Sequence, residues 1–576
     1  MRHNSRYTTE IIIESDHVDI QFSSYSRYPR ALHDNGEFCI FVEGSIYNKS
    51  KPQVGSELTQ LGRFLMSSKE PPESRAENWI LENDGEYIAV LFEKATGGLA
   101  ILSDALGRLP LYYQSLPTGE MLLAREPKYV VSAASNSHLD RIGIGQFLMF
   151  GYNLGTRTMS DGLSRVEPAT LIRFLPEAMT PEIRRVRHWF VGSEIDSSMQ
   201  LTQYAESAAS LLCEATRNRA RVANGVPISM ALSGGLDSRA VILALAREKV
   251  EFTSHTCVDY DGANANDVAM AERVSDLIGC PWRQFHLSEP TNDEILTIVS
   301  NQEGGSVTWM AAALQHYRML EQYQNDSVIM FTGDGGGNVM YPFLPAVSVN
   351  SVEGLLKLTF DTVYYWDVRA VEELLRLKTG DLRQVAEAEF ESYPEQSANW
   401  KYAHSKFLGR PYRFIMEGED RTRFYFWMGT PFWSTQLVRE LLRVPESFKS
   451  NYRLFRAMLR QLNPESTRIP YSATLINVPF HLLPLYARGN SMIKSHPRLY
   501  RYLRTLLVRN KAPNFSQPGL EHTLRKVINT SPTVAEYFDI DSLRRVFDGG
   551  LPRMNYHLLT TVLLRIRLLD QDATNC

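Results

Sequence analysis

The sequence predicts a two-part fold: antiparallel β strands first, then a parallel α/β domain that continues into helices. Three observations predict it. Short apolar or alternating runs fill the chain to about residue 190, strands and helices alternate from about 199 to 340, and from about Val352 the pattern is mainly helical. The boundary falls near residue 195, so the expected parts are 1–195 and 196–576, with a helical extension from about 350.

In the first part, FCIFVEG (38–44), YIAVLFEK (87–94), LAILSDA (99–105) and TLIRFLPE (170–177) read as strands, because Gly, Asn, Asp and Pro punctuate short runs of β-forming residues. The texture changes at 199–225, where apolar residues recur at helical spacing. VPISMAL (226–232) then reads as a strand, the stretch after it as a helix, EFTSHTCV (251–258) as a strand, AMAERVSDLIG (269–279) as a helix and WRQFHLS (282–288) as a strand. Such alternation is the pattern of a parallel sheet with crossover helices. A later strand, SVIMFTG (327–333), runs into a glycine-rich turn.

Composition narrows the functional class. The 576 residues carry 61 Lys+Arg against 65 Asp+Glu, a net charge of −4, with 44% hydrophobic and 22% charged residues. That balance offers no basic footprint for nucleic acid. No run approaches the roughly 18–20 apolar residues of a membrane span. The stretch MRHNSRYTTEIIIESDHVD has no secretory pattern, so a cytoplasmic location is expected. The five cysteines, Cys39, Cys213, Cys257, Cys280 and Cys576, form no CxxC pair, which argues for reduced structural thiols rather than zinc or a disulfide framework.

The element that carries chemistry is Ser233-Gly234-Gly235-Leu236-Asp237-Ser238, between an apolar strand and a helix. A helix N-terminus presents unpaired N–H groups and a partial positive charge, and paired glycines let an anion approach the backbone. Ser233 and Ser238 can add hydroxyl donors. Asp237 repels a bare polyphosphate, so its expected partner is Mg²⁺ bridging it to the phosphates. The loop therefore reads as a site for the pyrophosphate of ATP. It is neither a Walker A loop nor a GxGxxG fingerprint.

At a strand-to-helix turn, SGGLDS resembles the PP-loop of ATP pyrophosphatases, which cleave ATP between the α and β phosphates to adenylate a substrate. The segment 327–338 resembles the second active-site turn of asparagine synthetases, with Gly333, Asp334, Gly335 and Gly336 matching. EGSIYN (43–48), SDALGRLPLYY (103–113) and LAREPKYVVSA (123–133) are similar to stretches of that family's glutaminase domain. The resemblance spans about residues 35–480. It implies an Ntn-hydrolase-like αββα sandwich followed by a PP-loop domain of the adenine nucleotide α-hydrolase type. It also implies ATP and Mg²⁺, with adenine against Leu232, Cys257 and Val258, and formation of an acyl-adenylate that an amine attacks. Asp334 is the expected group to orient or deprotonate that amine.

Four departures from the family pattern matter. Gly337 stands where a second, metal-binding acid is expected. Asn338 substitutes for it, or Asp237 and Asp334 hold the metal between them, or metal binding is weakened. The chain begins Met1-Arg2-His3, with no cysteine before Cys39, so no glutamine hydrolysis is expected. An E-x-R-x-P-F stretch is replaced by Trp427-Met428-Gly429-Thr430-Pro431-Phe432, although Glu419, Asp420 and Arg421 lie just upstream. The family's downstream lysine falls near Tyr452, with Arg453 and Arg456 as candidate catalytic replacements. Together these point to the branch of β-lactam synthetases and lasso-peptide cyclases. An asparagine synthetase using free or partner-supplied ammonia and a non-catalytic pseudoenzyme stay open. So do the acid, the amine, a homodimer and biosynthetic partner proteins.

Overall fold

The structure, a computed structural model, describes residues 6–67, 73–134, 138–178, 180–187, 189, 192, 194–301, 307–324, 328–362, 365–473, 476–496, 499, 502–503 and 517–575. Met1, Arg2, His3 and most of the basic stretch that follows Lys494 lie outside them.

Strands β1 (Thr8–Glu14) and β2 (Asp19–Ser24) form a hairpin. Next come β3 (Arg30–Asp34), β4 (Phe38–Ile46), β5 (Gly85–Glu93), β6 (Leu99–Ser103), β7 (Tyr112–Ser115), β8 (Met121–Ala124), β9 (Ser164–Arg165), β10 (Thr170–Phe174) and β11 (Glu182–Arg185). A six-stranded antiparallel sheet runs in the order β11-β10-β6-β5-β4-β3, and β8-β7-β9 form a second, smaller sheet. Helices Lys51–Ser67 and Glu73–Glu82 pack on the large sheet, and helix Pro127–Ala133 packs on the small one. The layers are thus α, β, β, α. Strand β5 is buried along eight of its nine residues, which is why it reads as a continuous apolar run instead of alternating. In β4, Gly44 has φ +88°, and a Cβ there would lie 2.0 Å from the Glu86 carbonyl oxygen, so the glycine of EGSIYN is a steric requirement.

The second sheet is parallel. Strands β12 (Ile228–Ala231), β13 (Thr253–Val258), β14 (Trp282–His286), β15 (Ile329–Phe331) and β16 (Met428–Gly429) are ordered β14-β13-β12-β15-β16. Helices Leu236–Arg247 and Ala265–Ile278 are its crossovers. A short antiparallel hairpin, β17 (Tyr471–Ala473) with β18 (Ile476–Val478), interrupts the region expected to be helical.

One apolar core runs from the first sheet through helix Leu201–Arg221 to the parallel sheet. A second joins Ile144, Phe147 and Phe150, from the N-terminal part, to C-terminal residues such as Leu374, Leu558 and Leu563. No helix among the described residues is long and apolar enough to cross a membrane.

Candidate active site

Strands β12 and β15 lie side by side, with β13 and β14 to one side and β16 to the other. The chain therefore leaves the carboxyl ends of the two central strands in opposite directions. That topological switch point is where open parallel sheets place their ligands. The loops 232–238 and 332–338 both sit there.

In the first loop, Gly235 is the N-cap of helix Leu236–Arg247 and supplies no side-chain acceptor, leaving the first amides of the helix for an anion. Ser233 and Ser238, expected as phosphate donors, shape the loop itself. Their hydroxyls are 2.9 Å apart, Ser238 Oγ donates to the Ser233 carbonyl at 3.1 Å, and the Gly235 amide donates to Ser233 Oγ at 3.2 Å. The β17–β18 hairpin covers this loop, with the Ser472 amide donating to the Gly234 carbonyl at 3.3 Å. Buried Arg239 clamps the approach to the hairpin by donating to the carbonyls of Ile469 at 2.8 Å and Pro470 at 2.7 Å.

Gly333 starts the second loop against the first helix. A Cβ at Gly333 would lie 2.3 Å from the Ser238 nitrogen, and one at Gly336 2.7 Å from Asp237 Cγ. The loops meet backbone to backbone because both positions lack side chains. Asp237 accepts a hydrogen bond from the Gly337 amide, while its Oδ1 is buried without a partner. Burial pushes its carboxyl up to about 7, the Gly337 amide opposes the rise, and the charge of Asp334 adds to it. A Cβ at Gly337 would sit 3.2 Å from Asp237 Oδ2, so an acid here would set two carboxylates against each other, whereas glycine sets a donor against one. Asn338 lines a neighbouring cavity together with Gly337. Among the described residues no hydrogen bond joins it to Asp237 or Asp334.

Asp334 is pushed up to about 6, first by burial and then by Glu419, against the lowering effects of Thr332, Arg108 and Arg423. Glu419, one of the charges just upstream of the replaced E-x-R stretch, does reach the site. It accepts from Trp433 Nε1 at 3.0 Å and pairs with Arg108 and, at 3.3 Å, with Arg423. Trp427, at the expected acid, is buried and donates to the Tyr47 hydroxyl at 3.0 Å. A Cβ at Gly429 would lie 2.7 Å from the Phe331 ring, so an arginine there would need this contact rebuilt. Asp420 turns to Arg125 instead.

The two arginines expected downstream are not brought to the loops. Arg453 is exposed, donates to the Ser447 carbonyl at 3.2 Å and lies 5.6 Å from the Phe448 ring centre. Arg456 lies 5.4 Å from the Phe480 ring centre. Among the described residues no ion pair or hydrogen bond connects either to 233–238 or Asp334. Three tyrosines stand near Asp237: its charge is the first after burial to raise the phenols of Tyr341 and Tyr471, and it adds to raising that of Tyr452 after burial, Tyr471 and Tyr486. Asn451 and Tyr452 are consecutive left-handed residues at φ 55° and 60°, a conformation that costs a non-glycine residue about 1–2 kcal/mol. It sets the Tyr452 ring 5.2 Å from Tyr341 and 6.0 Å from Tyr471. Sequence reasoning missed this tyrosine wall, since two strained residues before a helix leave no periodic signal.

On the side expected for adenine, Leu232 is buried, its amide donates to the His255 carbonyl at 2.8 Å, and its own carbonyl accepts from the Thr256 hydroxyl at 2.7 Å. The Cys257 carbonyl accepts from the Asn264 amide at 2.7 Å, and burial pushes its thiol up to about 12. Val258 completes β13 and accepts from the Leu287 amide at 3.0 Å. Leu232, Cys257 and Val258 thus lie at adjacent strand ends. Behind them, neutral His255 and His316 share a contact between Nε2 atoms at 2.8 Å.

The N-terminal part reaches this centre through the SDALGRLPLYY segment. Asp104 caps its own turn, accepting from the amides of Leu106 at 2.9 Å and Arg108 at 2.9 Å. Arg108, fully buried, pairs with Glu86 at 3.1 Å and with Glu419, and donates to Thr430 Oγ1 at 2.6 Å. Arg165 pairs with Glu417 at 2.7 Å, and Tyr112 donates to the same carboxylate. The motif therefore fastens one part of the chain to the other.

The asparagine synthase family model matches residues 207–467, and a glutamine amidotransferase domain model matches 26–185. No curated protein matches the chain significantly. Both models fall in order on the sheets just described, the parallel sheet carrying the loops at 233–238 and 333–338 lies within the first of them, and the chain belongs to the asparagine synthetase family.

Proposed function

We propose that the protein is an AMP-forming carbon–nitrogen ligase that adenylates a carboxylate and passes the acyl group to an amine without hydrolysing glutamine. The observation that carries this reading is the Asp237 carboxylate at the start of a helix, with Oδ1 buried and unpaired beside free helix amides. A buried acceptor without a donor is costly, and a cation satisfies it. Mg²⁺ fits Asp237, with Asp334 the second carboxylate within its electrostatic reach. When bound, it would neutralise charge on the leaving pyrophosphate.

The chain's own groups do the rest. The amides of Leu236 and Asp237 at the start of the helix hold the pyrophosphate, and Leu232, Cys257 and Val258 wall the adenine. The substrate carboxylate attacks the α phosphorus, the α–β bond breaks, and pyrophosphate leaves with the electron pair. Positioning and charge neutralisation account for most of the rate. The amine then attacks the acyl carbon, AMP leaves, and Asp334 accepts the proton that the amine sheds. With its carboxyl near 6, Asp334 is ionised at neutral pH and still basic enough for that transfer.

Cys39 supports the lack of glutaminase chemistry. It is the one cysteine in residues 26–185, it lies buried within β4 with Sγ 3.9 Å from the Ile12 carbonyl, and burial raises its thiol, the opposite of what a nucleophile needs. The branch with an amine other than ammonia follows from this, and the β-lactam synthetase and lasso-peptide cyclase type is the closest in character. The test is ATP-dependent release of pyrophosphate from the full chain with Mg²⁺ and a pool of carboxylic acids and amines. AMP and pyrophosphate in equal amounts are expected, and Asp237→Ala is expected to abolish both. Release by Asp237→Ala at the wild-type rate would refute the reading, as would ammonia from glutamine.

A further inference from the structure

Beside the second loop lies a cavity of about 430 Å³, the size of a small-molecule site, and neither family match assigns it a role. Gly337 and Asn338 form one end of it. Gly337 is also the residue whose amide donates to Asp237, so one peptide touches both the pyrophosphate loop and this cavity. Its walls are aromatic: Phe150, Tyr152, Phe390 and Tyr402. Phe150 and Phe390 are almost fully buried, so the walls are part of the core and hold their shape.

The remaining side is built from an unusual piece of backbone. Between helices Ala398–His404 and Met416–Arg423, residues Ser405–Gly409 and Pro411–Ile415 are wound as π-helix. Such turns are rare overall and frequent at functional sites. Here the widened turns place Ser405, Lys406, Gly409 and Arg410 together on the cavity and pack 405–409 against the short helix Gly336–Val339. The Lys406 ammonium donates to the Pro342 carbonyl at 2.5 Å, which holds it at the loop end, and Arg410 stands at the exposed end. A second ammonium, that of buried Lys449, lies near Lys406 and is pushed down to about 8 by burial, opposed by Glu446 and reinforced by Lys406. Lys406 and Arg410 thus line the cavity, and Lys449, paired with Glu446, stands behind Lys406.

From this geometry we infer that the cavity holds the body of the acid substrate, a carboxylic acid with an apolar or aromatic body, its carboxylate drawn towards Lys406 at the loop end. The cations exclude the other reactant from the same place, since a protonated amine would meet two positive charges, Lys406 and Arg410, in surroundings of low dielectric constant. The aromatic walls select against small polar acids, which would leave the pocket wet. This assignment rests on the ligase reading for its meaning, but it is tested without nucleotide.

Ligand-observed NMR on the full chain, free of ATP, with 3-phenylpropionate, indole-3-propionate and octanoate separates the cases. Each acid is compared with its amide and its amine. At least one acid is expected to bind ten-fold or more tightly than its amide, and its amine more weakly still. Ala346→Trp or Val347→Trp, both at exposed rim positions, should weaken the acid at least ten-fold by filling the cavity. Lys406→Met should bring the acid to the level of the amide. Equal affinity for acid and amine, no selective binding by any acid, or insensitivity to both rim variants overturns the inference. Acid binding without any ATP-dependent pyrophosphate release leaves the cavity assignment standing and sinks the ligase reading instead.

Discussion

The Gly337 amide donates a hydrogen bond to the Asp237 carboxylate across the two central loops, where a second acid would have faced it. This pairing leaves one buried carboxylate oxygen without a partner, and the proposed mechanism places its cation there.

Asp237 is destabilising when no metal is present. Its carboxyl is raised to about 7 against an ordinary value of 3.8, so below about pH 4 it is protonated in both folded and unfolded chains and costs nothing. As pH rises from 4 to 7 the unfolded chain ionises first, and the cost accumulates to roughly 4 kcal/mol. Asp237→Asn should therefore raise the melting temperature at pH 8 without Mg²⁺, and the gain should vanish near pH 4. A gain that is the same at both pH values would contradict the electrostatic origin.

Asp334 belongs to the second half-reaction in the proposed mechanism. Asp334→Asn is expected to keep ATP–pyrophosphate exchange within about ten-fold while amide formation falls by roughly 10² to 10⁴. In the wild type, amide formation should rise with pH through about 6, as the carboxyl loses its proton. Loss of both half-reactions together would assign Asp334 to the metal rather than to the amine.

Arg108 ties Glu86, in the N-terminal sheet, to Glu419, beside Asp334. Removing one member of a buried ionic network strands the others, at a cost of about 3–5 kcal/mol. Arg108→Met should lower stability by about that amount in urea unfolding. Because Arg108 lowers the Asp334 carboxyl, the same variant should shift the pH profile of amide formation upward. A profile left in place would confine Arg108 to a structural role.

Buried histidines make the fold acid-sensitive. Burial lowers His316 to about 4 and His557 to about 3 and holds His255 well below its usual value. Below about pH 6.5 the unfolded chain binds protons that the folded chain refuses, so each such histidine removes stability as pH falls, by up to about 1.4 kcal/mol per unit. Comparing urea midpoints from pH 7.5 to 5, His316→Asn should show a shallower loss than the wild type. An unchanged slope would mean that His316 is protonated in the fold.

The hairpins at 8–24 and 471–478 aside, the sequence by itself determined the longer strands of both large sheets, the parallel arrangement and the two glycine-rich loops. These are local signals: an apolar run, a turn composition and a helix start each lie within a few consecutive residues. Ser233–Ser238 and Gly333–Asp334 were legible for that reason, and the sheet brings them together as expected. Only the tertiary structure decided which charges act on them. Glu419 reaches Asp334 through packing from a helix nearly ninety residues later in the chain, and Arg108 joins from the other part of the molecule. Arg453 and Arg456 fit the spacing, yet two left-handed residues at 451–452 precede their helix, and Tyr452 instead packs with Tyr341 and Tyr471 near Asp237. The aromatic cavity draws its walls from residues 150 to 410. Side chains that meet only after long-range packing share no periodicity in the sequence, and what the site accepts is fixed by that packing.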